Sequence, residues 1–281
     1  MSTSRKTIRA AGTSLRFVVL TVGAIFMILP FAYMVSTSFK PQAYVLETPP
    51  KFIPDPGTVD NFVQAWTTQD FSRYALNSAF VSVTSTALAV WLSSMMAYAF
   101  ARFDFPGKEW FFRALLLGLM IPSMMLIIPQ FVLTKQLHLI DNLWALVLFY
   151  VSGNLALNTF LLRSFFEGIP RELDEAMEVD GANVWTRYWR LAMPLARPAL
   201  ATTVIFTFLA TWDEFAWALT VISTETKRTL PIAIQLFHGQ NSTQWGLVFA
   251  ASLIAILPVI VVYLIFQRHF VAGLTAGAVK G

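Results

Sequence analysis

Few residues in the chain are able to do chemistry, and two of them stand together. Asp213 and Glu214 lie inside the apolar stretch 198–222, flanked by Trp212 and Trp217. A charge near the middle of a bilayer costs roughly 2.5–3.5 kcal/mol on insertion scales, so the pair is expected to face a protein interior or a polar passage rather than lipid. Carboxylates beside aromatic faces can accept sugar hydroxyls. They can equally serve a proton relay, or bond to a neighbouring helix. Enzyme chemistry finds no support. The chain has no Cys, which excludes thiol nucleophiles, Cys-ligated zinc and iron–sulfur clusters. His138, His238 and His269 form no short metal-ligand motif. Gly107-Lys108 has the ending of a phosphate-binding loop, but position 102 is Arg and Glu109 follows the lysine, so the nucleotide motif is missing. No catalytic residue, cofactor site or metal ligand is therefore expected. If the chain serves active transport, the energy comes from an ion gradient or a partner.

The other informative segment is 167–195. Pro170 suits the first turn of a helix. Glu172, Asp174 and Glu175 follow it, where the helix dipole favours anions. Leu173, Ala176 and Met177 share one face through their i, i+3, i+4 spacing. Asp180-Gly181 breaks that helix. Asn183 is placed to cap a second one, which carries Val184, Trp185 and Tyr188, with Arg187 and Arg190 toward its end. Pro194 is expected to stop it. The segment reads as two short helices meeting at Gly181, which calls for a positive φ or for a surface with no side chain. Such an amphipathic knuckle can lie on membrane lipid, but its two Trp residues and its balanced acidic and basic ends suit a protein partner better.

Long apolar elements must position these residues. Of 281 residues, 56 % are apolar and 13 % charged, against about 25 % charged in a soluble domain. That excludes a soluble or disordered chain and leaves an all-α polytopic membrane protein. The net charge of +4 comes without the concentrated basic patch that nucleic-acid binding needs. Six stretches reach the roughly 20 residues required to cross a bilayer: 17–36, 74–99, 110–129, 143–162, 198–222 and 246–266. Pro30, Pro122 and Pro258 are expected as kinks inside spans. The first stretch exceeds the usual signal-peptide core of about 7–15 residues and is expected to be retained. Fourteen of the twenty Lys and Arg residues fall on the N-terminal tail, the 102–113 turn, the 163–197 loop and the 267–281 tail. The positive-inside rule places that side, with both termini, in the cytoplasm. The Pro-rich outer segment 39–73 reads as an ordered loop, so residues 1–281 are expected to form one transmembrane domain.

Glu175-Ala176-Met177, Gly181 and Leu191-x-Met193-Pro194 keep the spacing E-A-A-x3-G-x9-I-x-L-P. With apolar replacements at Met177, Leu191 and Met193, the segment resembles the EAA loop of ABC importer permeases. The ending Gly273-Leu-Thr275-Ala-Gly277-Ala-Val-Lys280-Gly281 is similar to the terminal G-L-T-x-G-x-V-K-G of the maltose-transporter-like carbohydrate permeases, on their shorter six-span subunit. The stretches Trp212–Phe215 and Thr229-Leu230-Pro231 resemble that family too. The likeness covers nearly the whole chain.

The resemblance implies a type I ABC importer permease fold with six transmembrane helices, in a bacterial or archaeal plasma membrane. It implies a permease subunit of an ATP-driven, binding-protein-dependent carbohydrate importer that works by alternating access. The implied partners are a second permease, an ABC ATPase dimer carrying the ATP and Mg, and an extracellular solute-binding protein. It assigns Glu175, Ala176, Asp180, Gly181, Trp185 and Pro194 to ATPase coupling. Thr275, Gly277 and Lys280 become a tail contact to the ATPase pair. Phe237, His238 and Gln240, in the outer loop 235–243, face the binding protein. Trp212, Asp213, Glu214 and Trp217 are candidates for the substrate path. The alternative is an ion-coupled carrier using Asp213 and Glu214, which has no need of a docking knuckle.

Overall fold

Inside a bilayer no water is available to satisfy an open backbone, so apolar stretches of this length fold as helices. The computed structural model describes residues 2–68, 70–239 and 243–278, with side chains described from residue 16 to residue 268 within those ranges. In order the helices are α1 Ser2–Ser38, α2 Asp60–Thr67, α3 Phe71–Arg102, α4 Lys108–Leu117, α5 Ile127–Gln136, α6 Leu143–Glu167 and α7 Arg171–Val179. They continue with α8 Val184–Arg187, α9 Met193–Leu195, α10 Arg197–Trp212, α11 Ala216–Val221, α12 Leu230–Gln235 and α13 Trp245–Ala278. Among the described residues, four segments are long and apolar enough to cross a membrane alone: Arg16–Ser38, Phe71–Arg102, Leu143–Glu167 and Trp245–Arg268. The count reaches six if each of two sharply bent helix pairs is one span. Pro30 and Pro258 sit inside helices, as expected.

Two expected spans are broken rather than continuous. The stretch 110–129 is interrupted at Ile121-Pro122, and the segments Lys108–Met120 and Ser123–Gln136 meet at 94°. Pro122 lacks an amide donor and drives Ile121 into an extended conformation, so the ladder cannot pass. The stretch 198–222 is helical to Trp212, opens over 213–215 and resumes as α11. At its other end, α13 continues past the expected boundary at 266 to Ala278, so most of the expected tail is helical backbone.

The chain divides into two compact units, Met1–Gln69 with Ile234–Ile254, and Asp70–Ala233 with Ala255–Gly281. In the first, the apolar residues of α1 from Phe17 to Phe31 are exposed, a face suited to lipid or another subunit. Its Pro-rich loop is ordered, as expected. The Asn61 amide donates to the carbonyls of Ser38 and Lys40, both at 2.8 Å. The Lys40 ammonium donates to the Lys51 carbonyl and lies over the Tyr33 ring. The Gly246 backbone runs so close to Asn61 that a Cβ there would meet its amide at 2.8 Å.

The second unit is built on α3 packed against α6. Buried Ala89, Ala97, Ser82, Ser85, Ser93 and Ser94 on α3 let the helices approach closely. One apolar cluster joins Val81, Leu146, Val147, Trp217 and Val221. Another, at the knuckle end, joins Ala97, Tyr98, Leu162, Phe166, Tyr188 and Ala192. Between them, the Asn158 amide donates to the Thr207 hydroxyl at 2.8 Å and ties α6 to α10.

Candidate functional site

The knuckle at 167–195 has the form its sequence predicts. Pro170 sits just before α7, which ends at Val179 and is capped at Asp180. Gly181 then takes φ +81°, and a Cβ there would touch nothing within 4 Å, so the glycine answers a backbone need rather than a steric one. The Asn183 carboxamide accepts from the Thr186 amide at 2.8 Å and caps α8. Pro194 does not stop the second helix. A widened π turn over Tyr188–Ala192, closed by the Met193 amide on the Tyr188 carbonyl, leads into α9. The wider turn gives room where the proline ring would crowd the carbonyl four residues back. The pair Val184–Leu195 and Arg197–Trp212 then bends by 77°.

What holds the knuckle was not legible in its own sequence. Arg102, at the end of α3, donates to the Ile169 carbonyl at 2.8 Å and pairs with Asp174 at 3.1 Å. Arg187 pairs with Glu178 at 2.6 Å and joins the two knuckle helices. The Tyr188 hydroxyl bonds the Ser94 hydroxyl at 2.6 Å, and its buried ring packs on Tyr98. Within α7 the acidic residues with internal partners are thus Asp174 and Glu178. Glu175 is exposed and makes no hydrogen bond or ion pair among the described residues. Ala176, Asp180, Val179, Trp185 and Trp189 are exposed as well. One side of the knuckle is therefore pinned to the helix bundle, while the other presents apolar surface.

The four residues proposed for a substrate path part company. The indole N–H of Trp212 donates to the Ala255 carbonyl at 3.1 Å, and its ring stacks on Phe208, so it joins α10 to α13. Asp213 is exposed, and its amide closes α10 on the Leu209 carbonyl. Glu214 accepts from the amides of Trp217 at 2.8 Å and Ala218 at 3.1 Å, and from the Tyr150 hydroxyl. It therefore caps α11 and ties the helix break to α6. Glu214 and Trp217 line one cavity of about 270 Å³ together with Gln130, Tyr150, Asn154 and Thr211, which sequence reasoning missed. Trp217 is buried against Phe149, and its indole N–H has no partner among the described residues.

Asp141, at φ +58°, accepts from the Ser223 and Thr224 amides, the Thr224 hydroxyl and the Lys227 ammonium, at 2.6–3.0 Å. Burial opposes its charged form, yet these donors together hold its carboxyl well below the usual carboxylate range. The loop 235–243 is braced by an isolated bridge between His238 and Thr243 and by the Gln42 amide donating to the Thr243 carbonyl at 3.0 Å. Phe237 is buried, and His238 packs edge-on against Trp245. Gln240 and Lys280 lie outside the described residues. Thr275 and Gly277 lie on the helical backbone of α13.

Comparison with known proteins extends these observations. The Sulfoquinovosyl glycerol transport system permease protein SmoH of Agrobacterium fabrum is 35 % identical over 276 residues, covering 96 % of this chain and 95 % of that protein. The Trehalose transport system permease protein SugB of Mycobacterium tuberculosis is 37 % identical over 258 residues, covering 91 % and 93 %. A bacterial ABC transporter involved in the import of the acidic polysaccharide alginate shares the fold, with a TM-score of 0.80 at 24 % identity, over 96 % of this chain and 99 % of its own. The model of the family described as binding-protein-dependent transport system inner membrane component matches residues 52–275. With a helical bundle of four to six spans, a pinned knuckle and relatives matched over nearly their whole length, the chain belongs to that family of multi-pass inner membrane components.

Proposed function

We propose that this chain is one permease of a heterodimer in an ATP-driven carbohydrate importer, with both termini in the cytoplasm. The carbohydrate assignment leans on relatives named for sulfoquinovosyl glycerol and trehalose transport. The knuckle carries the reading. Its inner side is fixed by Arg102 and Tyr188, and its outer side offers Ala176, Val179 and Trp185 around the Gly181 turn. A surface that is rigid behind and apolar in front can transmit force from a docked partner. That partner is an ABC ATPase dimer, which brings the ATP and Mg. Glu175 and Asp180 meet it as exposed charges, Trp185 as an apolar anchor, and Pro194 sets the widened turn behind them. Closure of the ATPase pair then swings the spans between inward-open and outward-open states. Thr275, Gly277 and Lys280 extend the contact to the ATPase pair. The loop holding Phe237, His238 and Gln240 faces an extracellular solute-binding protein, with Phe237 as its buried footing.

The carrier alternative, using Asp213 and Glu214, has no need of a knuckle pinned to the bundle by Arg102 and Tyr188. Trp217 and Glu214 stand in the wall of the substrate path. Trp212 and Asp213 border it from the helix end. Replacing Gly181 with Val tests the docking reading. The expected result is normal membrane insertion with loss of ATPase co-purification and of hydrolysis stimulated by the binding protein. Normal stimulated hydrolysis and uptake would remove the coupling assignment.

A further inference from the structure

Irregular backbone at membrane depth is tolerated where protein buries it or where it lines a cavity, and broken helices mark binding sites in many transporters. This chain breaks its helices twice within apolar sequence, at Ile121-Pro122 and over 213–215, and residues beside both breaks line the same cavity of about 270 Å³. None of its lining residues is Lys, Arg or His, and its one charged group is Glu214. The Gln130 side chain makes no hydrogen bond among the described residues. Asn154 uses only its amide nitrogen, toward the Tyr150 carbonyl at 2.8 Å. Both carboxamides therefore retain hydrogen-bonding capacity that the fold does not use. Phe149 and Trp217 add aromatic wall.

We propose that this cavity is a subsite for a single uncharged sugar ring and that it selects against carboxylated or sulfonated sugars. The inference rests on the carbohydrate permease reading and adds to it the charge class of the sugar. Carboxamides that donate and accept match hydroxyl groups, which do the same, and aromatic faces match the C–H faces of a pyranose. A carboxylate or sulfonate calls for the guanidinium or ammonium that this wall lacks. It would also meet the Glu214 charge across a medium of low dielectric. The volume falls just under the range of about 300–1,000 Å³ usual for larger ligands, which suits one ring rather than a chain of them.

The test uses the assembled importer in lipid nanodiscs, without its binding protein, so that only the permeases select. Calorimetric titration compares glucose, maltose, trehalose and N-acetylglucosamine with glucuronate and galacturonate. At least one neutral probe should bind at least about tenfold more tightly than either uronate, since like charges in one site repel. Gln130→Ala should weaken that binding by at least about tenfold, since it removes a hydrogen-bonding partner of the sugar. Gln130→Arg should reverse the preference toward the uronates. Gln130 supports no bond of the fold through its side chain, and membrane insertion with co-purification of the ATPase pair verifies assembly of each variant. Equal affinity for uronates, no binding of any neutral probe, or neutral binding indifferent to both Gln130 variants would each overturn the subsite. If the unsubstituted complex shows no ATP-driven sugar uptake, the permease reading fails instead.

Discussion

Gly181 and Arg102 show how single residues set the geometry of the knuckle. At φ +81°, with open space around its Cα, Gly181 makes every substitution a question of backbone strain alone. A β-branched residue in that region costs about 1–2 kcal/mol, and Asn, which tolerates the left-handed conformation, costs less. Gly181→Asn should therefore keep most of the ATP hydrolysis stimulated by the binding protein, and Gly181→Val should lose most of it. Equal loss in both would point to a contact surface instead. Arg102 is nearly buried, and its partner Asp174 is only slightly more exposed. Removing one partner of such a pair strands the other, at a cost of about 3–5 kcal/mol. Arg102→Ala should speed amide exchange across α7 while leaving the spans protected, and unchanged exchange there would show that α7 is held by other contacts.

At the scale of elements, the second knuckle helix is held less by its own turns than by what it touches. Four-residue α8 and three-residue α9 have no stability alone. Their anchor is Tyr188, whose ring lies in the cluster with Tyr98 and Phe166. Tyr188→Phe keeps the ring and loses one hydrogen bond, about 1 kcal/mol. Ser94 stays satisfied through the Trp91 carbonyl at 2.7 Å. Tyr188→Ala also opens a void and should cost about 3–5 kcal/mol. Proteolysis within 184–195 should therefore rise sharply for Ala and barely for Phe. The opposite end of the bundle has its own fastener in Asp141, which ties the loop after α5 to the loop after α11. Its folded carboxyl titrates below its unfolded value, so its stabilisation is fully present above about pH 4 and is lost only as pH falls through the lower folded value. After correction for intrinsic rates, protection of the Ser223 and Thr224 amides should stay constant from about pH 7 to about pH 5. Loosening that begins near pH 6 would contradict this assignment.

At the scale of the whole molecule, the contacts of the second unit sort into two ends. Arg73 and Asn77 donate to the carbonyls of Thr226 and Arg228 at one end of α3, and Arg102 meets Ile169 and Asp174 at the other. The excess of Lys and Arg on the knuckle side predicts that this side is cytoplasmic. The chain lacks Cys, so single cysteines report topology without further engineering. Ile53→Cys, 80 % exposed in the Pro-rich loop, should react with an impermeant reagent in intact cells. Val179→Cys, 89 % exposed on the knuckle, should react only after permeabilisation. Labelling of Val179→Cys in intact cells would reverse the orientation and remove the knuckle from the ATPase side.

Features that depend on neighbours along the chain were legible before any packing was known. Hydropathy over windows of about 20 residues located the helices. The Gly181 turn and the Asn183 cap were readable because each involves only a few consecutive residues. The breaks within 110–129 and 198–222 were less legible, since a proline or an acidic pair inside an apolar run fits a kink as well as an opening. Packing assigned the roles of the intramembrane residues. Glu214 caps α11 because Tyr150 stands opposite it, and Trp212 turns away because the Ala255 carbonyl is within reach. Arg102 and Asp174, or Asp141 and Thr224, are 72 and 83 positions apart. Hydropathy and capping signals decay within a turn or two, whereas ion pairs and hydrogen bonds act only at contact distance, so those partners are chosen when α3, α6 and α10 pack.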